Sequence, residues 1–182
     1  MKNRKRNRLA EYDYSNPAWY YVTICTQNHK EYFGEIRNGK MILNRTGKLV
    51  NQLWKNIEIL REHIKLDNYI VMPNHIHGII IINKYVGDAN FASPIQTFNV
   101  KNNHETKIAD RTKMELSKII QQFKRAATLK IRKEKGDSAF KWQRSFYDRI
   151  IRNEKELFNI RNYIELNPLR WGLDNDIENL EL

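Results

Sequence analysis

The sequence predicts an α+β protein, because segments typical of strands alternate with segments typical of amphipathic helices. Residues 19–26 and 66–83 are rich in β-branched and aromatic side chains. Residues 45–62 and 116–131 instead carry apolar side chains at helical spacing. A chain of 182 residues suits one domain and leaves little room for two, so we predict a single domain over 1–182.

The N-terminal part is predicted to consist of an arm, a strand and a hairpin. Residues 1–16 are basic and then aromatic-polar, and we interpret them as an arm, with a disordered tail as the equally weighted alternative. A strand is predicted over 19–26. Asn38 and Gly39 form the preferred turn pair of a tight hairpin, which we place within 32–43.

The middle of the chain predicts a helix followed by two strands. Asn44 can cap a helix over 45–62. Strands are predicted over 66–71 and 75–83, joined by a short connection that contains a proline. The run 79–82 is apolar on both faces, which is typical of a central strand covered on both sides.

A long polar stretch then precedes a second helix. Residues 86–112 have no pattern, and we interpret them as a variable loop that is disordered or functional. Thr112 and Glu115 have the spacing of a capping box. The helix that follows is predicted to bury a stripe formed by Leu116, Ile119, Ile120, Phe123, Ala127 and Ile131.

The C-terminal part predicts an extended segment and a last helix. Residues 140–147 are short, aromatic and predicted to be extended. The last helix is predicted to begin at Asn153, with Glu156 three residues later in a capping pattern. Pro168 disfavours helical geometry at the preceding residue, so the helix is predicted to end at about Leu166.

The charge of the chain predicts a polyanionic partner. The formal net charge is +11, which favours nucleic acid first and an anionic membrane surface second. The single cysteine, Cys25, excludes an internal disulfide framework and fits a reducing, cytoplasmic location. We predict phosphate contacts from the basic arm, from the exposed face of the second helix and from the segment after it, with a merely solvated surface as the alternative for each residue. These predicted contacts are Arg4, Lys5, Arg6, Lys118, Lys124, Arg125 and Arg144.

Two histidines form a candidate metal site. His75 and His77 are separated by one residue on a predicted strand, so both imidazoles project from the same face. Two neighbouring imidazoles can chelate a divalent ion, and an open site completed by an amide oxygen, water and phosphate fits better than a closed zinc site. The alternative is a pair of buried, hydrogen-bonded histidines. Their position on an apolar strand favours metal binding, since polar groups there are costly to desolvate.

A tyrosine on the last helix is the candidate nucleophile. Tyr163 and Asn167 lie four residues apart, so their side chains share one helical face. Phenols become nucleophiles when a proton is lost and when a metal neutralises the group under attack. The alternative for Tyr163 is a half-buried structural aromatic. Tyr147 is the main rival, but it precedes the helix and lacks an amide four residues later.

Three blocks of sequence together resemble a known family. They are Met-Pro-Asn-His-Ile-His-Gly (72–78), the segment from Trp142 to Asn153, and Tyr-Ile-Glu-Leu-Asn-Pro (163–168). In this order they resemble the IS200-like single-tyrosine HUH transposases, and most closely the REP-associated tyrosine transposase branch. The resemblance covers most of the chain outside 86–112.

The resemblance implies a fold and a chemistry. The implied fold is a palm-like antiparallel sheet flanked by helices, related to the ferredoxin-like arrangement. His75, His77 and Asn167 would bind Mg²⁺ or Mn²⁺, and Tyr163 would attack single-stranded DNA at a hairpin or palindromic repeat. The implied product is a 5′-phosphotyrosine link with a free 3′-hydroxyl, which a second strand can rejoin. Members of the family work as monomers or as homodimers, in the bacterial cytoplasm with the nucleoid.

Two other functions stay open on the sequence alone. The first is a repeat-DNA-binding protein of the same family without nuclease activity. The second is a zinc hydrolase, for which His63, His104 and Glu165 are candidate ligands or bases by residue type only.

Overall fold

The described part of the structure is an antiparallel four-stranded sheet, a separate hairpin and three α-helices. The computed structural model describes residue 14 and residues 16–83, 114–136 and 139–171. The predicted α+β class, an antiparallel sheet flanked by helices, is confirmed. The elements are β1 (Ala18–Cys25), β2 (Gly34–Arg37), β3 (Lys40–Leu43), α1 (Arg45–Ile59), β4 (Ile64–Val71), β5 (His75–Ile82), α2 (Glu115–Lys135), β6 (Tyr147–Ile151) and α3 (Glu154–Arg170).

Strand β5 lies inside the sheet, as its sequence predicts. The strand order is β4-β5-β1-β6, and each neighbouring pair is antiparallel. Every residue of β5 is buried, because helices cover both faces of the sheet. The side chains of Ile76 and Ile80 project towards α1 and α2, whereas those of His77 and Ile79 project towards α3.

Local signals in the sequence account for the hairpin and the start of α1. Asn38 and Gly39 have φ of 50° and 69°, the left-handed values that a tight hairpin turn requires, so the predicted hairpin is confirmed. The Asn44 side chain accepts a hydrogen bond from the backbone N–H of Gly47 at 2.9 Å, which confirms the predicted cap. Helix α1 ends at Ile59 rather than at residue 62.

The two faces of the sheet bury cores of different size. Helices α1 and α2 cover the larger core, which includes Trp54 and the six apolar residues predicted for the stripe of α2, Phe123 among them. Of the described helices, α3 alone covers the other face, over a smaller cluster of Trp19, Tyr21, Ile79, Ile81, Ile151, Leu157, Ile160 and Ile164. Each fully buried isoleucine contributes about 1.5–3 kcal/mol to folding, so even the smaller core can hold a helix in place.

Helix α3 begins as predicted and ends later than predicted. Its N-cap is Asn153, whose side chain accepts from the Glu156 N–H at 2.8 Å. The predicted end at Leu166 is wrong, because the helix continues through Pro168 to Arg170. Proline removes one backbone donor here, close to the helix end, while Pro168 itself is buried and Leu169 packs against the hairpin turn at Gly39. Tertiary packing outweighs the local preference.

Two other local predictions are wrong in position. Residues 140–146 form only an isolated bridge between Trp142 and Thr26, and the regular strand begins at Tyr147, where pairing with β1 becomes continuous. Helix α2 begins at Glu115 with Met114 as its N-cap and no side-chain cap, so the capping box is not at the helix start.

Several predicted features lie outside the described residues. They are Thr112, the 86–112 loop and nearly all of the basic arm. None of the helices in the described ranges combines the length and apolar character needed to cross a bilayer.

Candidate active site

The histidine pair lies at the start of β5, on the face covered by α3. His75 and His77 are 1% and 0% exposed. Their Nε2 atoms face each other at 2.9 Å. This arrangement follows from the strand geometry predicted from the sequence, which sets both imidazoles side by side.

The two Nε2 atoms are close enough to bind one divalent ion together. They lie 2.9 Å apart, which is also the distance of a hydrogen bond between the two rings. Two ligands that bind one ion at about 2.1 Å and at right angles lie about 3.0 Å apart, so both imidazoles can reach the same ion with little movement. The residues present therefore fit a divalent metal.

The hydrogen bonds of His75 fix its tautomer. Its Nδ1 lies 2.6 Å from the Asn74 side-chain oxygen, and the Asn74 amide nitrogen donates to the His29 backbone oxygen at 3.0 Å. Because that second bond orients the Asn74 amide, Nδ1 of His75 must carry the proton and Nε2 presents a lone pair.

The pKa values of both histidines are lowered. Burial, reinforced by the charge of His29 and opposed by the side chain of Asn167, lowers the pKa of His75 to about 3. Burial and then the charge of His75 lower the pKa of His77 well below its usual range. Both imidazoles are therefore neutral near pH 7 and can bind a cation without first losing a proton.

Two hydroxyl groups from β1 hold the His77 ring. Its Nδ1 lies 2.8 Å from the Tyr21 hydroxyl and 2.9 Å from the Thr23 hydroxyl. Thr23 is the register partner of His77 across the sheet, and Tyr21 is 0% exposed. Hydroxyls can donate or accept, so the Tyr21 and Thr23 hydroxyls orient the His77 ring. They can also accept a hydrogen bond from a proton carried on Nδ1, which leaves Nε2 free for a metal.

Tyr163 packs directly against His77. Their ring centroids are 5.2 Å apart with an interplanar angle of 71°, and the Tyr163 ring also meets Tyr21 edge-on at 6.4 Å. Tyr163 is half-buried, so its ring is fixed while part of it stays accessible. The predicted nucleophile and the predicted metal ligand are thus in contact within a single chain.

Asn167 completes the group one helical turn after Tyr163. It is 7% exposed, and its side chain lies near enough to His75 to raise the pKa of that imidazole. Trp171 packs its ring 5.7 Å from that of His75. The structure therefore brings all four predicted central residues, His75, His77, Tyr163 and Asn167, to one place.

Tyr147, the rival candidate for the nucleophile, is separated from the histidine pair by Tyr21. It sits on β6 opposite Thr23, and its ring meets Tyr21 at 6.1 Å. Burial raises its pKa, which disfavours the phenolate form. Tyr21 thus stands between Tyr147 and the position that Tyr163 occupies beside His77.

The predicted phosphate contacts are dispersed over the molecule. Lys118 and Arg125 are exposed on α2, which lies across the sheet from His77, so the structure does not bring them to the metal pair. Arg144 is exposed in the segment before β6, next to Gln143, whose backbone N–H donates to Cys25. Cys25 is the register partner of His75, so Arg144 lies at the site's end of the sheet. Arg4, Lys5 and Arg6 lie outside the described residues.

Lys124, a predicted phosphate contact, is bound by the protein itself. Its ammonium donates to the backbone oxygens of Gln143 and Ser145, both at 3.0 Å. Burial lowers its pKa to about 8. The side chain folds back onto the protein, so Lys124 ties α2 to the segment before β6.

The structure does not bring His63, a candidate ligand of the zinc hydrolase alternative, to the histidine pair. His63 pairs with Glu115 at 3.4 Å, and its backbone oxygen accepts from Asn83, at the opposite end of β5 from His75. Glu165 accepts from Asn68, and His104 lies outside the described residues. Within the ranges that the structure describes, no cluster of three or more His, Cys, Asp or Glu residues can hold a metal.

Sequence reasoning missed Tyr21, Thr23, Asn74 and Trp171. Asn74 directly precedes His75, so its position was available as a signal. The β1 residues reach His77 only through strand pairing between residues more than fifty positions apart. That register is a tertiary property which the local sequence does not encode.

Comparison with known proteins identifies the family. Residues 81–167 match the family model described as "Transposase IS200 like", a range that contains Tyr163 and Asn167 and begins after His77. A protein from Haemophilus influenzae that bears the name "Uncharacterized protein" is 36% identical over 176 residues, covering 96% of this chain and 93% of that one.

A solved structure has a similar fold. It is described as a REP-associated tyrosine transposase bound to a REP hairpin. The similarity has a TM-score of 0.50 at 17% identity and covers 96% of this chain and 76% of that one, which shows a shared fold. Taken together with the matches in sequence, this shows that the chain belongs to the IS200-like transposase family.

Proposed function

We propose that the protein is a divalent-metal-dependent enzyme that nicks and rejoins single-stranded DNA bearing a hairpin or palindromic repeat, with Tyr163 as the nucleophile. The observation that carries this proposal is the contact between the Tyr163 and His77 rings, at 5.2 Å, beside two Nε2 atoms at 2.9 Å. A tyrosine placed for structure alone would not require a buried, pre-oriented histidine pair at its side.

The metal would be Mg²⁺ or Mn²⁺, held by Nε2 of His75, Nε2 of His77 and the side-chain oxygen of Asn167. When bound, such an ion neutralises the charge of a phosphodiester and favours attack on its phosphorus. Asn74, Tyr21 and Thr23 hold the two imidazoles in orientation before any ion arrives.

Tyr163 would carry the covalent step. Its phenol loses a proton to solvent, and the phenolate oxygen forms a bond to phosphorus while the bond from phosphorus to the 3′-oxygen breaks. The departing 3′-oxygen takes up a proton, which leaves a free 3′-hydroxyl and a 5′-phosphotyrosine. Attack by the 3′-hydroxyl of another strand reverses these bond changes, restores the phenol and rejoins the DNA.

The cationic surface would bind the DNA backbone. The net charge of +11 favours association with any nucleic acid, and Arg144 lies at the site's end of the sheet. Arg4, Lys5, Arg6, Lys118 and Arg125 would contact phosphates farther from the cut. Because Lys124 already donates to two carbonyls, its role would be to hold the segment that carries Arg144.

The site is assembled within one chain. Tyr163 lies against His77 of the same molecule, so a monomer has every residue that the proposed reaction needs. A homodimer with two such sites is equally consistent with this arrangement, and the oligomeric state stays a prediction.

The test is capture of the covalent intermediate. Wild-type protein is incubated with hairpin-bearing single strands and Mg²⁺, and a protein–DNA band that survives denaturation is expected. The band should vanish in Tyr163→Phe and on removal of the metal with EDTA. Tyr147→Phe is the matched control and should retain the band.

Two outcomes would contradict the proposal. A band that persists in Tyr163→Phe removes that residue from the covalent step. If the wild type binds every suitable hairpin tightly but never forms a band, the protein is the repeat-DNA-binding alternative.

A further inference from the structure

A cleft between the edge strand β4 and helix α3 adjoins the proposed active site. Its volume is about 430 Å³, and it is lined by Asp67, Asn68, Tyr69, Ile70, Ile164 and Glu165. We propose that this cleft binds one unpaired base next to the cleaved bond and selects bases that carry an amino group. This inference rests on the function proposed above. It identifies the part of the protein that would recognise the base next to the cleaved bond.

A bulge in β4 forms one wall of the cleft. The register passes from Leu66 opposite Ile80 to Tyr69 opposite Gly78, so that two residues of β4, Asp67 and Asn68, face a single residue of β5. Successive strand residues normally point to opposite faces, but here both side chains reach α3. The bulge therefore turns two consecutive polar side chains towards the helix that carries Tyr163.

The cleft borders the reacting groups on two sides. Ile70 is the register partner of His77 across the sheet. Ile164 and Glu165 directly follow Tyr163 on α3. A nucleotide whose phosphate lies beside Tyr163 and His77 can therefore place its base in the cleft, against the partly exposed side chain of Ile70.

The polar groups of the cleft present hydrogen-bond acceptors. The Asn68 amide nitrogen donates to Oε1 of Glu165 at 2.7 Å, and this bond fixes which way the amide points. Among the described residues, Oε2 of Glu165 and the side-chain oxygen of Asn68 have no hydrogen-bond partner. Two acceptors in one cleft match a base edge with N–H donors.

This chemistry ranks the four bases. Guanine offers two adjacent N–H donors on its Watson–Crick edge, and adenine and cytosine each offer an amino group. Thymine offers a single N–H between two carbonyl oxygens, which would face the acceptors of Asn68 and Glu165. We therefore expect guanine to be the best ligand of the cleft and thymine the worst.

Charge assigns the cleft to a base and excludes a phosphate. Asp67 is paired with Arg161, at 3.1 Å between Nε and Oδ2, so its charge is compensated. Glu165 is exposed, and its one hydrogen bond among the described residues comes from a neutral amide. Its uncompensated charge repels the backbone but accepts readily from amino groups.

The experiment measures base preference at the positions that flank the cut. Uncleavable Tyr163→Phe protein is titrated with fluorescent hairpin-bearing strands that carry each of the four bases, or an abasic site, at each flanking position. The same strands are tested for covalent complex formation with wild-type protein. We expect one position at which thymine and the abasic site weaken binding about tenfold or more relative to guanine.

The variant that tests the assignment is Glu165→Gln. Glutamine keeps the size of the side chain but adds a donor, so discrimination against thymine should fall to about twofold at that position and remain unchanged elsewhere. Glu62→Gln is the matched control, because Glu62 is exposed and precedes β4 at the opposite end of the sheet. It should bind like the parent protein.

The outcomes separate this inference from the proposed function. Equal binding of all four bases at every flanking position overturns it, as does a Glu165→Gln variant that weakens all strands uniformly, which would mean that the pair with Asn68 only docks α3. If wild-type protein forms no covalent complex while Tyr163→Phe protein still discriminates through Glu165, the base site stands and the proposed catalysis fails.

Discussion

The two faces of the sheet have different tasks, and the difference is visible along a single strand. Alternate residues of β5 enter an apolar core under α1 and α2, where Ile76 packs and Gly78 leaves room for Trp54. The intervening residue His77 enters a polar cluster under α3 with Tyr21 and Tyr163. One face stabilises the fold, and the other holds buried polar groups in place at the proposed active site.

The comparison explains how the site tolerates its buried imidazoles. A buried polar group is costly unless it is hydrogen-bonded, and each histidine here has a partner at Nδ1. The larger core on the opposite face supplies the stability that this arrangement requires. Substitutions on the two faces should therefore have separable effects.

The largest expected effect is on the stabilising face. Trp54 is fully buried and packs edge-on against Phe123 at 5.2 Å. Trp54→Ala should lower the free energy of unfolding by about 3–5 kcal/mol, because it leaves a cavity in a close-packed core. Urea unfolding measures this change. The amount of covalent protein–DNA complex formed per folded molecule should stay near the wild-type value. A lower yield per folded molecule would show that the two faces are not separable.

A smaller effect is expected from Tyr21, which contacts both His77 and the proposed nucleophile Tyr163. Tyr21→Phe removes the hydroxyl that lies 2.8 Å from His77 Nδ1, and it should weaken Mn²⁺ binding by about 10–100-fold. Titration of DNA-free protein followed by electron paramagnetic resonance measures this affinity.

Tyr20→Phe is the matched control for Tyr21→Phe. Tyr20 is the neighbouring residue on the opposite face, and its hydroxyl donates to the Asn16 backbone oxygen. Removal of this hydroxyl should lower the free energy of unfolding by about 1 kcal/mol without changing the affinity for Mn²⁺. Equal metal affinities in the two variants would show that Tyr21 has no role in orienting His77.

The last expected effect is a dependence of stability on pH. The pKa of His75 is lowered in the folded state to about 3, so between that value and about 6.5 the unfolded chain binds a proton that the native protein does not. The contribution of His75 to stability is therefore fully present above pH 6.5. As the pH falls below this value, the free energy of unfolding decreases by up to about 1.4 kcal/mol per pH unit because of this residue.

Urea unfolding between pH 4 and pH 7 measures this slope. His77 acts in the same direction, since its pKa is also lowered. His75→Gln should flatten the dependence, whereas His63→Gln, at the other end of the sheet, should not. A slope unchanged by His75→Gln would place the titrating group elsewhere.

Much of the site could be predicted from local spacing. A period of two places His75 and His77 on one face of a strand, and a spacing of four places Tyr163 and Asn167 on one face of a helix. The turn at Asn38–Gly39 and the cap at Asn44 are also local, and both predictions are confirmed.

What could not be predicted depends on contacts between distant segments. Tyr21 and Thr23 reach His77 through the register of β1 and β5, and the bulge at Asp67–Asn68 is visible only as a break in pairing. Lys124 was predicted to contact phosphate but donates to two backbone carbonyls. Pro168 was expected to end α3, yet packing of the last turn sustains the helix.

The most direct test of the central claim is to locate the DNA attachment site. Wild-type protein is trapped with a hairpin-bearing strand and Mg²⁺, digested, and analysed by mass spectrometry for a peptide that carries a 5′-phosphodeoxynucleotide. The account predicts the adduct on the peptide that contains Tyr163, and no adduct when His77→Ala replaces the wild type. An adduct on Tyr147, or an undiminished Tyr163 adduct in His77→Ala, would contradict it.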